Sequence, residues 1–75
     1  MSVVFGERSP RVTDIVRVIR AEYDEMPGMC LTEWQIRRLW NLASTECLEA
    51  LDYLCETGIL VRDPAGRYLR RRLRY

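Results

Sequence analysis

Apolar residues recur along this chain with two different periods. From Val12 they fall at Ile15, Val16, Ile19 and Tyr23, while Arg11, Asp14, Arg17, Arg20, Glu22 and Asp24 occupy the positions between. That spacing is one stripe of an amphipathic helix. Ser9-Pro10 supplies its start, a capping hydroxyl followed by proline at the first helical position. Pro27-Gly28 supplies its end. Met29-Cys30-Leu31 is a short apolar run, expected to lie as an extra strand against a later hairpin and cover one of its edges.

The helical period then returns. Thr32-Glu33-Trp34-Gln35 matches a capping box, with Thr32 as cap and Gln35 reaching back. Ile36, Leu39 and Trp40 make the expected apolar face of a second helix. Asn41 stands where the chain must turn sharply, and Asn tolerates the left-handed conformation better than most residues. Leu42 plugs the corner. Ser44 or Thr45 is expected to cap a third helix, with Cys47, Ala50, Leu51 and Leu54 inward and Gly58 as a left-handed C-cap. Ile59-Leu60-Val61 is β-branched and apolar, hence a strand. Asp63-Pro64-Ala65-Gly66 has turn chemistry, and Arg67-Tyr68-Leu69-Arg70 returns as the partner strand. Ahead of the first helix, residues 1–8 form a lead-in. Its Val3-Val4-Phe5 is either an arm that pairs with a partner chain or a frayed end. Residues 71–75 either extend the last strand or trail off as a basic tail.

Seventy-five residues make one small domain. A chain of this size is marginal alone and gains from dimerising. Net charge is +1, so the whole-chain balance points to no partner. The three cysteines form no CxxC, and there is no His, so a zinc site has nothing to bind it and no metal is expected. Cys47 and Cys55 share a helix and are separated by roughly 12 Å of rise, too far for a disulfide. Reduced thiols in a cytoplasm are the expectation. No segment is apolar and long enough to span a membrane.

Three helices with a tight corner, followed by a hairpin, are a known layout. Ile36, Trp40, Leu42, Cys47, Ala50, Leu51 and Leu54 sit where winged helix-turn-helix regulators of bacteria place core residues. Asn41 stands at their turn position, where Gly is commonest. Gly58-Ile59-Leu60-Val61-Arg62 looks like their exit into the wing, and Gly66-Arg67-Tyr68 resembles its tip and return strand. The resemblance covers residues 12–70. It implies a mainly α fold with a small β-sheet, three helices plus a two- or three-stranded wing, over residues 9–70. It also implies binding of double-stranded DNA, with the third helix in the major groove and the hairpin on phosphates. Winged helices serve as protein-interaction modules too. One position departs from the pattern: Arg37 stands where many such proteins have a small residue between the helices.

Charge complicates that expectation. Ala43, Ser44, Thr45, Glu46, Leu48, Glu49 and Asp52 would face outward on helix three, and none is basic. Carboxylates there repel phosphates, although Glu can accept from cytosine. Glu46 can equally complement the helix dipole. The basic residues, all arginine, gather elsewhere: Arg62, Arg67, Arg70, Arg71, Arg72 and Arg74 on the hairpin and tail, Arg37 and Arg38 on helix two. Roughly four to six phosphate contacts would give a log–log salt slope near −4 to −5. The expected DNA-binding set is therefore Arg37, Arg38, Ser44, Thr45, Arg67, Arg70, Arg71, Arg72 and Arg74.

Trp34 falls off the Ile36–Trp40 stripe. It covers the domain's own core, stacks on Arg37 or Arg38, or anchors a protein interface. Leu48, also off its helix's inward stripe, looks like a protein contact. The acidic group Glu22, Asp24 and Glu25 at the end of helix one has one suggested role, pairing with the arginine-rich end of the chain. No nucleophile–base pair and no glycine-rich phosphate loop occurs, so neither an enzyme nor a cofactor is expected. The reading is a small cytoplasmic DNA-binding regulator, with a homodimer possible, and with a protein-interaction module using the acidic helix three as the alternative.

Overall fold

Local rules set the element boundaries. The computed structural model describes residues 10–71; the 1–8 arm, the Ser9 cap and residues 72–75 of the basic tail lie outside them. The order is α1 (Pro10–Glu25), β1 (Cys30–Thr32), α2 (Glu33–Trp40), α3 (Ser44–Glu56), β2 (Leu60–Arg62) and β3 (Arg67–Arg70). The described residues are mainly helical, with one small antiparallel sheet of order β1-β3-β2. β3 is central: Cys30 pairs with Leu69 on one side and Val61 with Leu69 on the other.

Thr32 both ends β1 and caps α2. Its hydroxyl accepts from the Gln35 amide at 3.1 Å, and its own amide donates to Gln35 Oε1 at 2.8 Å. The capping box thus forms as expected. At the other end of α2, Asn41 takes φ 54°. Its amide and that of Leu42 both donate to the Arg37 carbonyl. Left-handed backbone costs an ordinary L-residue about 1–2 kcal/mol. Asn41→Val is therefore expected to lower the unfolding free energy by about that amount, and Asn41→Gly to leave it nearly unchanged, as read from urea midpoints.

α3 begins one residue earlier than expected. Its N-cap is Ala43, which offers no side-chain hydrogen bond, and Ser44 is already helical. The Leu42 amide is tied back to Arg37, and the Cys47 amide donates to Ala43 at 2.9 Å, so the first helical turn closes on Ala43. Neither Ser44 nor Thr45 caps the helix. Gly58 ends it at φ 81°. Its amide donates to Cys55 and the Ile59 amide to Leu54, the two bonds of a Schellman motif. Ile59 is used up in that motif, so β2 starts at Leu60 rather than Ile59.

The core joins all layers: Val12, Ile15, Ile19 and Tyr23 of α1, Ile36 of α2, Cys47, Ala50, Leu51 and Leu54 of α3, Leu60 and Tyr68 of the sheet. Both expected stripes of α1 and α3 are buried, with Val16 half-buried. Tyr23 donates its hydroxyl to the Tyr68 carbonyl at 2.6 Å, tying α1 to β3. The expectation for α2 needs correction. Leu39 is 59% exposed. The inward arc instead holds Glu33, Ile36, Arg37 and Trp40, at i, i+3, i+4 and i+7. The helix is rotated so that the Glu33–Arg37 pair, not Leu39, shares the inward side with Ile36.

Burial has a consequence at high pH. It pushes the Tyr23 phenol from 10.0 up to about 12, against the Leu31 backbone, which pulls it down. It pushes the Cys47 thiol from 9.0 up to about 11. Both groups bind their protons more tightly folded than unfolded. Their contribution is complete below pH 9 and is lost as pH rises through 11 to 12. The thermal midpoint is expected to hold steady up to about pH 9 and to drop steeply by about pH 12. A flat profile across that range would count against both burials.

Candidate nucleic-acid interface

Alternation along β3 divides its side chains between two faces. Tyr68 is buried on one, and Arg67 is exposed at the hairpin end. The tip between β2 and β3 is organised by Asp63. Its Oδ1 accepts from the Ala65 and Arg67 amides, each at 2.9 Å, and its Oδ2 meets Arg67 Nε at 3.3 Å. The Arg67 amide and guanidinium hold the Asp63 carboxyl below the usual carboxylate range. Gly66 completes the turn at φ 84°.

The arginines expected to act together are split into separate groups. Arg67 lies at the tip with Asp63. Arg70 lies at the far end of β3, where its Nη1 meets Asp24 Oδ1 at 2.7 Å. Arg20 stands 3.9 Å from the same carboxylate. With Arg71, Gly58 and Ile59 these residues line one cleft of about 150 Å³. The acidic end of α1 thus does pair with the arginine-rich end of the chain, through Asp24. Arg62 lies over the Tyr68 ring at 5.9 Å. It also opposes the effect of Asp52 on the Cys55 thiol, which burial pushes up.

On α3, Ser44, Thr45, Leu48, Glu49 and Asp52 are exposed, as expected of an outward face. Glu46 is not free on that face. Its Oε2 meets Arg11 Nε of α1 at 2.6 Å. It remains in the first turn, where a carboxylate also suits the helix dipole.

α2 carries the third group. Trp34 is 59% exposed, with Arg38 over its ring at 4.9 Å. Of the three roles open to it, covering the core is overturned by that exposure: position 34 lies across the helix from buried Ile36. Arg37 fits between the helices by turning half-buried along α2, its Nε 3.8 Å from Glu33 Oε2. Both of those atoms are buried and neither has a hydrogen bond. Trp34, Arg37, Arg38, Asn41 and Leu42 line a second cavity of about 200 Å³.

Two partners escaped the sequence reading. Arg11 and Arg20 looked like surface charge, yet each holds a carboxylate of functional interest. The Arg20–Asp24 spacing of one helical turn was visible; the Arg11–Glu46 contact had no local signal. Arg72 and Arg74 lie outside the described residues. Among the described residues no cluster of metal-binding side chains forms, the three cysteines are free, and no helix is long and apolar enough to cross a membrane. Compared with protein-family models, curated proteins and solved structures, the chain matches none.

Proposed function

We propose that this chain is a winged-helix DNA-binding protein, a small transcriptional regulator. In this reading α2 and α3 flank the Asn41 turn, α3 approaches the major groove, and the β2–β3 hairpin is the wing. The observation that carries the reading is the exposed α3 face, with Ser44 and Thr45 at its start, on a helix that packs against β2 of a hairpin bearing Arg62 and Arg67. Ser44 and Thr45 contact phosphate or base edges. Arg67, Arg70, Arg71, Arg72 and Arg74 supply most of the affinity through phosphates, with Arg37 and Arg38 on flanking ones. A homodimer in the cytoplasm belongs to the same reading; three free thiols fit a reducing compartment.

One observation favours a second reading, a protein-interaction module. The exposed face of α3 carries Leu48, Glu49 and Asp52 and no cation. Such a face suits a basic partner better than a polyanion. Titration of mixed-sequence duplex across a salt series separates the two. Duplex binding at low salt, with a log–log slope near −4, is the expected result. No binding at the lowest salt, together with clean flow-through on heparin, would overturn the DNA reading in favour of the protein one.

A further inference from the structure

We infer that the α2 surface around Trp34 is a stacking site for one unpaired nucleobase, with Arg37 and Arg38 set for its phosphates. The ligand class is single-stranded nucleic acid. The inference does not depend on duplex binding by α3.

The site is built on a rigid turn. The capping box between Thr32 and Gln35 holds the first turn of α2, and Trp34 lies inside it. A tryptophan with 59% of its surface in water is unusual, because the indole normally gains by burial. Here it is not held by the core. Arg38, one turn further on, covers one side of the ring at 4.9 Å. That cation–π contact fixes the indole orientation, and exposure this high leaves area on the ring for a second planar group.

The cavity beside the ring has the chemistry of a nucleotide. Of its five lining residues, two are arginines, one is Asn41, and apart from the indole only Leu42 is apolar. Glu33 offsets Arg37, but at 3.8 Å and without a hydrogen bond between the facing atoms, so the pair can yield to a phosphate. Among the described residues Arg38 has the indole, not a carboxylate, as its neighbour. Asn41 is held at the rim by its left-handed turn, and its side-chain amide offers a donor and an acceptor to a base edge. Stacking on aromatic rings is how unpaired bases are held without sequence preference. A duplex hides its base faces and cannot use this ring. A protein partner would also value Trp and Arg, yet a cavity this polar and cationic suits a nucleotide better.

The test is fluorescence anisotropy of a labelled oligo-dT, run beside labelled duplex and beside free thymidine monophosphate as competitor. The Trp34→Ala variant should bind oligo-dT about tenfold more weakly than the parent, and Trp34→Phe should keep most of the affinity. Duplex affinity should be the same in all three proteins. Trp34 lies outside the core, so the variant folds, and circular dichroism checks this. Competition by the monophosphate only at great excess supports the strand as the ligand; competition at similar concentration to the oligonucleotide overturns the strand in favour of a free nucleotide. Equal oligo-dT binding by Trp34→Ala and parent, or no oligo-dT binding by the parent, overturns the inference. Loss of duplex binding alone leaves the stacking site standing and counts against the duplex-DNA reading instead.

Discussion

Leu51→Ala is expected to cost about 2–5 kcal/mol of unfolding free energy, the range for emptying a buried leucine site. Leu51 is fully buried on α3, in the core cluster that α1, α2 and the sheet share with that helix. Its removal leaves a void that none of these elements can close without breaking other contacts. The effect is large relative to the whole. A 75-residue domain has about 4–11 kcal/mol of stability in total. The variant should therefore show a strongly lowered urea midpoint, with part of the population unfolded in buffer. Leu48→Ala is the matched control on the same helix. Leu48 is 43% exposed, so its truncation should cost under about 1 kcal/mol. Similar midpoints for the two variants would contradict the placement of the α3 inward stripe.

The second large effect concerns the arginines. Combined Arg67→Ala, Arg70→Ala and Arg71→Ala should flatten the log–log salt slope of duplex binding by about three units and weaken binding roughly a hundredfold at low salt, for all sequences alike. Two of these substitutions do more than delete a cation. Arg67 and Arg70 each cover a carboxylate, Asp63 and Asp24. Removing the guanidinium leaves that carboxylate facing phosphate. Exposed ion pairs of this kind contribute little to stability, so the fold should survive. Asp24→Asn gives the opposite sign: it frees Arg70 and Arg20 and should tighten binding. A triple variant that binds like the parent, with an unchanged slope, would remove the phosphate-gripping role of this end of the chain.

The candidate site was less legible in the sequence than the fold. Capping at Thr32, the left-handed turn at Asn41 and the C-cap at Gly58 all rest on residues within a few positions of one another. Each could be read directly. The same local chemistry misled at Ser44, because the corner before α3 is set by the Leu42 amide bonding back to Arg37. Leu39 misled for a similar reason. A stripe read from α2 alone permits Ile36, Leu39 and Trp40 to face inward, but only its packing against α3 and β1 selects the rotation.

By itself, the sequence determined where helices and strands lie, which stripes of α1 and α3 enter the core, and that the cations are arginines placed away from α3. Those features depend on backbone periodicity and side-chain capping, which act over one or two turns. Only the tertiary structure decided how the charges meet. Arg70 reaches Asp24 and Arg11 reaches Glu46 because α1 packs across the sheet and α3. The outward turn of Leu39 follows from the rotation of α2. Such contacts join residues far apart in the chain, and Coulomb attraction between them carries no trace in local spacing.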